Sequence, residues 1–270
     1  MTAGRAPAVS VVLAVRDGAA WVTAAVGSIL GQTDGDHELI VVDDGSTDAT
    51  MDLLAGIDDP RLRLVRQEAA GLTRALNRAL GLARAELVAR LDADDLALPE
   101  RLARQRAFLA AHPDVGLLGT AALEVDAAGH PAGEVRPPGD DAAIRRALIR
   151  SNPFVHSSVM ARRALLAAAG GYDERVTVAQ DYDLWMRLAP RTRLANLADV
   201  LVVRRLLAGR VSLEREEERL RTEARVRWRA VTSGAYPPWC ALFALRPALA
   251  LALPRPLRRA VRAVVAGPRV

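Results

Sequence analysis

Four short apolar runs, each followed by a segment of helical period, occupy the first 110 or so residues and leave few folds open to this chain. Residues 9–15, 38–42, 62–65 and 86–91 read as strands. Residues 19–30, 47–57, 72–83 and 99–110 carry apolar side chains at helical spacing. Ser46 is placed to cap the second helix, and Pro99 falls in the first turn of the fourth. Strand–helix alternation with short links predicts a parallel α/β sheet with helices on both faces. Ligands of such sheets bind beyond the carboxyl ends of the strands, and two acidic clusters fall at such ends.

The first cluster, Asp43-Asp44, closes the run Leu39-Ile40-Val41-Val42 and leads into Gly45-Ser46-Thr47-Asp48. It reads either as a turn with a helix cap or as carboxylates that accept hydrogen bonds from a nucleoside. The second, Asp92-Ala93-Asp94-Asp95, follows Leu87-Val88-Ala89-Arg90-Leu91. Three carboxylates so close repel one another, and a hard divalent cation would relieve that. A D-x-D at a strand end therefore suits Mg2+ or Mn2+ bridging a diphosphate. A third element is Gln180-Asp181-Tyr182-Asp183-Leu184-Trp185. On a helix, Asp181 and Asp183 point in different directions, so only one is expected to face a site.

After about residue 112 the pattern loosens. Residues 115–119 and 121–125 read as strands, and 127–141 as a loop or hairpin. Helices are expected at 142–149, at 163–169 (stopped by Gly170-Gly171), at 181–188 and at 213–229.

Composition narrows the chemistry. Hydrophobic residues make up 51% of the chain, enough for a sizeable core. There is no lysine, so all 37 basic residues are arginine, which excludes a Walker P-loop and a Schiff base. Residues 1–203 hold 22 Arg against 27 acidic residues, while 204–270 hold 15 against 5. An acidic main part with a basic tail is not the footprint of a nucleic-acid-binding enzyme. The lone Cys240 precludes an internal disulfide and suits the cytoplasm. Neither a signal peptide nor a membrane-spanning run is expected, because the most apolar stretch, 238–253, is short and interrupted by Arg246-Pro247.

Taken in order, these stretches resemble family 2 glycosyltransferases of the GT-A fold across roughly residues 8–205. The resemblance also rests on Ser28-Ile29-Leu30-Gly31-Gln32-Thr33, Gly71-Leu72-Thr73-Arg74-Ala75-Leu76-Asn77 and Pro99-Glu100-Arg101-Leu102 with Gln105. Later matches are His156-Ser157-Ser158-Val159-Met160 and Gly170-Gly171-Tyr172. It implies an α/β fold, with a Rossmann-like central mixed sheet flanked by helices and a C-terminal helical extension. The catalytic domain would be 1–205, with a nucleotide-sugar-binding half at 1–112 and an acceptor-side half at 113–205. Residues 206–270 would be the extension.

Such enzymes move a sugar from a nucleoside diphosphate donor to an acceptor hydroxyl with inversion. Carried over, Ala14, Val15 and Arg16 would line the nucleotide pocket, with Asp43 beside them. Asp44 would meet the base or ribose, and Arg74 would lie near the nucleotide. Asp92, Ala93 and Asp94 would flank ribose and diphosphate, with Asp94 and Asp92 as metal ligands for Mn2+ or Mg2+. Asp181 matches the catalytic base. His156 could reach the metal or acceptor, or simply be a satisfied core histidine.

The acceptor would be a saccharide or lipid-linked glycan of the cell surface. Two departures stand out: Ala14-Val15-Arg16-Asp17 ends the first strand unusually, and Gln180 replaces an acidic residue. No Q-x-x-R-W follows Asp181, which points to a non-processive enzyme. A nucleotidyltransferase and a non-catalytic sugar-nucleotide binder stay open as alternatives.

In the tail, residues 236–270 hold six Arg and no acid. Leu257, Ala260, Val261, Val264 and Val265 share a helical face opposite Arg255, Arg259 and Arg262, a pattern suited to peripheral contact with an anionic leaflet.

Overall fold

β1 (Val9–Val15) is buried along its whole length, as a strand covered on both faces must be. It pairs in parallel with β2 (His37–Asp44) on one side and β4 (Leu87–Arg90) on the other. β3 (Leu62–Gln67) adds in parallel to β2. The computed structural model describes residues 5–207 and 215–252. Ser10, the one polar residue of β1, donates to Glu38 Oε1 at 2.6 Å and accepts the backbone N–H groups of Arg84 and Ala85. The buried hydroxyl thus pins the turn that launches β4.

The remaining strands make the sheet mixed. They are β5 (Leu96–Ala97), β6 (Val115–Val125), β7 (Pro131–Val135), β8 (Met160–Arg162) and β9 (Arg193–Arg205). The order is β3-β2-β1-β4-β8-β6-β9-β5, with β7 hairpinned onto β6. β8 runs antiparallel to both β4 and β6, whereas β6 and β9 are parallel. The parallel expectation therefore holds for the first four strands, and the mixed sheet implied by the resemblance describes the whole. Because strand order reverses between β1 and β4, their carboxyl ends open the crevice in which α/β sheets bind ligands.

Helices α1 (Val22–Leu30), α2 (Thr50–Ala55), α3 (Leu72–Leu82) and α4 (Arg101–Ala111) follow the expected alternation. α5 (Asp141–Leu148) is capped by the Asp140 carboxylate on the Ala143 N–H. α6 (Arg163–Ala168) and α7 (Gln180–Leu188) complete this part. One core joins Val9, Val11 and Leu13 of β1 to Val26 and Ile29 of α1, Leu54 of α2 and Leu102 of α4.

The chain divides after Ala208 into two compact units. In the second, α8 (Glu216–Thr232) packs with α9 (Ala241–Ala252), and Arg227 Nη1 donates to the Phe243 carbonyl at 3.1 Å. No helix among the described residues is long and apolar enough to cross a membrane. The amphipathic pattern expected around residues 257–265 lies outside the described residues.

Candidate active site

The Asp-rich turn after β2 acts first on its own neighbours. Asp43 is buried, accepts the Ser46 N–H at 3.3 Å and faces Arg66 Nε at 3.4 Å. Asp44 accepts from Gln67 Nε2 and from the N–H groups of Ala70 and Gly71, all within 2.8 Å. A carboxylate offers about four acceptor positions, so roughly one remains for a ligand.

Ser46 does not cap a helix. Its Oγ accepts the Asp17 N–H, while Asp17 Oδ1 accepts from Thr47 N–H and Oγ1. Thr50 Oγ1 and Asp48 Oδ2 accept the N–H groups of Gly18 and Ala19. The residues expected to start the helix at 47 are spent on lacing the β1–α1 loop to the β2–α2 loop, and α2 begins only at Thr50. Asp17 adopts φ 50° in that loop, a left-handed conformation that Asp tolerates better than most residues. Ala14 and Val15 lie buried in β1, opposite Val42 and Asp43, while Arg16 is exposed at the strand's end.

Gly45 sits at φ +74°, and a Cβ there would stand 2.8 Å from the Ala69 nitrogen. Both the left-handed backbone and the clash count against any side chain. Gly45→Ala is expected to lower unfolding stability by about 2 kcal/mol or more. An unshifted urea midpoint would show that the 67–71 loop yields freely.

The second acidic cluster is organised around a cation from its own strand. Arg90 is buried, and its guanidinium pairs with both carboxylate oxygens of Asp92. Its Nη1 also donates to Ser157 Oγ at 3.1 Å. The Ser157 hydroxyl lies within bonding distance of Asp92 Oδ2 (2.8 Å) and of Asp95 Oδ2, and its single proton serves one of them at a time. Asp95 also accepts the Arg205 N–H at 2.8 Å. Burial, then the neighbouring Asp94 charge, pushes Asp95 up to about 6. Asp94 is half-buried, and its carboxylate has no hydrogen-bond partner among the described residues. Asp92, Asp94 and Asp95 offer oxygen atoms within 4.8 Å of one another, a set able to hold a divalent ion.

At the end of β9, Arg205 lies over the Trp21 ring, 4.2 Å from its centroid. That contact draws the β1–α1 loop toward the acidic one. Asp181, in the first turn of α7, is half-buried and accepts from Asn152 Nδ2 at 2.6 Å. Burial pushes its carboxyl above the ordinary value, while the Tyr182 N–H, the Arg90 charge and the Asn152 amide pull the other way. Asp183 is turned away and paired with Arg187 Nε at 2.8 Å. His156 is engaged with the Tyr172 hydroxyl at 2.8 Å and meets Trp185 edge-on. Burial, then the Arg90 charge, holds it well below its ordinary pKa.

The sequence model described as glycosyl transferase family 2 matches residues 10–167. The chain belongs to glycosyltransferase family 2. It is 32% identical to EpsE of Bacillus subtilis over 67% of this chain and 66% of that protein. It thus spans just under two thirds of EpsE's length. It is also 32% identical to the amylovoran biosynthesis glycosyltransferase AmsE of Erwinia amylovora, over 74% of this chain and 76% of that one. Among solved structures, the mannosyltransferase PcManGT of Pyrobaculum calidifontis, in complex with GDP-Man and Mn2+, superposes with a TM-score of 0.66. That match has 23% identity and covers 97% of this chain and 80% of the other.

In this family 2 chain, sequence reasoning did not foresee the work of α3. Thr73 Oγ1 donates to the Val176 carbonyl, and Asn77 brackets Tyr172 by donating to its carbonyl and accepting its N–H. Arg74, expected near the nucleotide, pairs with Glu174 at 3.1 Å. These contacts hold the 172–176 segment that leads to Asp181. Arg90 was also passed over, although an arginine inside an apolar strand and two residues before an acid is a readable signal.

Proposed function

We propose that this chain transfers a sugar from a nucleoside diphosphate donor to an acceptor hydroxyl with inversion at the anomeric carbon. The observation that carries the reading is the grouping around Arg90: it pairs with Asp92 and feels the charges of Asp94, Asp95 and Asp181. A carboxylate set suited to a cation thus shares one buried counter-charge with a carboxylate suited to accept a proton.

In this reading Ala14, Val15 and Arg16 floor the nucleotide pocket. Asp43 sets the turn, and Asp44 uses its remaining lone pair on the base or ribose. Asp92 and Ala93 lie along the ribose and diphosphate. Arg74 would reach the nucleotide only by leaving Glu174, a small cost for an exposed pair. Asp94 is the ligand we assign to Mn2+ or Mg2+, with Asp92 already neutralised by Arg90. The ion, when bound, would offset charge on the leaving diphosphate.

Asp181 accepts the acceptor hydroxyl's proton as that oxygen bonds to the anomeric carbon and the diphosphate departs. Attack from the face opposite the leaving group gives inversion. Asn152 holds one oxygen of Asp181, leaving the other for the incoming hydroxyl. The acceptor we propose is a cell-surface saccharide or lipid-linked glycan, glycosylated in the cytoplasm.

Purified protein is expected to release nucleoside diphosphate from at least one sugar nucleotide, to stop in excess EDTA and to resume with Mn2+. Release of pyrophosphate from a nucleoside triphosphate and a sugar phosphate, with no nucleoside diphosphate released from any sugar nucleotide, would favour nucleotidyl transfer. Full turnover in EDTA would remove the metal from the scheme.

A further inference from the structure

Exposed large hydrophobic side chains are concentrated in the second unit. Among the described residues, only Leu53 and Leu72 are found elsewhere. Trp239, Leu242, Leu245 and Leu249 are 61%, 67%, 49% and 67% exposed. The three leucines, at i, i+3 and i+7, form a ridge along one face of α9, while Ala244 and Pro247 are buried on the other. The Trp239 ring stands at the head of this ridge, edge-on to Phe243. Single exposed leucines are ordinary, but a continuous row is not.

The charge on the ridge helix itself has one sign, that of Arg246. Among the described residues beyond Glu223 the chain carries four arginines and no acidic residue. Arg246 is exposed on α9, and on α8 exposed Arg221 and Arg225 precede exposed Trp228 at helical spacing. Arg225 and Arg246 have no ion-pair partner among the described residues.

We propose that the second unit docks on an anionic lipid surface, with the α9 ridge in the acyl boundary and the arginines among the headgroups. Charge complementarity selects this occupant. A row of leucines headed by tryptophan, on a helix whose one charged residue is Arg246, matches an interfacial helix on anionic lipid. At 12 residues α9 is too short to span a bilayer, so it lies along the surface. This inference is independent of the proposed reaction.

The test is flotation of the full chain with phosphatidylcholine vesicles, with and without phosphatidylglycerol. Wild type is expected to float with the anionic vesicles and to release at high salt. Combining Trp239→Ala, Leu242→Gln, Leu245→Gln and Leu249→Gln should lower partitioning about tenfold or more. Arg225→Gln with Arg246→Gln should lower it several-fold. All six side chains are exposed, so both variants should fold and release nucleoside diphosphate in solution at the wild-type rate. The proposal fails if wild type ignores anionic vesicles, binds neutral ones equally well, or is matched by the quadruple variant. Self-association removed by the quadruple variant, without vesicle binding, would assign the ridge to a second copy of the chain.

Discussion

Asp181→Asn is expected to lower kcat by about 10²- to 10⁴-fold while leaving donor binding near wild type. The amide keeps the shape of the side chain and can still meet Asn152, but it cannot take a proton. Because burial raises the Asp181 carboxyl, the acid limb of kcat/KM should lie above the ordinary carboxylate range. The sign follows from the role: below that pKa the base is protonated, so activity falls as pH falls through it. Asn152→Ala removes a donor that favours the ionised form, so the limb should move to higher pH. Unchanged turnover in Asp181→Asn would assign the proton to another group. A limb that stays put in Asn152→Ala would detach the titration from Asp181.

Arg90→Met should damage both stability and activity. The methionine keeps much of the aliphatic volume but removes the counter-charge of Asp92 and the donor to Ser157. Three carboxylates then face one another within 4.8 Å without their internal cation. Breaking such a buried arrangement costs about 3 kcal/mol, allowing for the partial exposure of Asp92. One effect works the other way. Arg101, completely buried, is pulled down to about 9 by burial and by Arg90, and its Nη1 has no hydrogen-bond partner among the described residues. Removing Arg90 relieves that repulsion, which is why the loss should stay near the lower end for buried pairs. If Mn2+ offsets the missing charge, added metal should restore part of the lost Tm in Arg90→Met and raise wild type less. An Arg90→Met protein as stable as wild type would make the guanidinium a bystander.

Legibility in the sequence followed burial. β1, β2 and β4 are covered on both faces, so their apolar runs stand out, and the helices between them inherit a clear amphipathic period. β9 was missed because Arg193-Leu194-Ala195-Asn196-Leu197-Ala198-Asp199 mixes polar and apolar residues without alternation. Its pairing with β6 also slips in register near Thr120 and Ala121. β8 has only three residues and β5 two, lengths at which periodicity carries no signal.

The acidic clusters could be located because carboxylates at strand ends are conspicuous. What they bond to could not be read, since Ser157 and Arg205 reach the second cluster from far along the chain. The α2 boundary failed for the same reason: Ser46 carries cap chemistry that another loop uses, while Asp48 divides its oxygens between that loop and the Thr50 N–H.

The α3 clamp on residues 172–176 bears on how such enzymes could be recombined. The segment that leads to Asp181 is fastened by Thr73, Arg74 and Asn77, which lie in the half of the sequence proposed to bind the nucleotide. The two halves are therefore not interchangeable cassettes. A graft that joins one relative's donor half to another's acceptor half must carry a matching α3 surface with it. Otherwise the graft would leave the segment leading to the Asp181 helix unanchored, with every proposed catalytic side chain still present in the sequence.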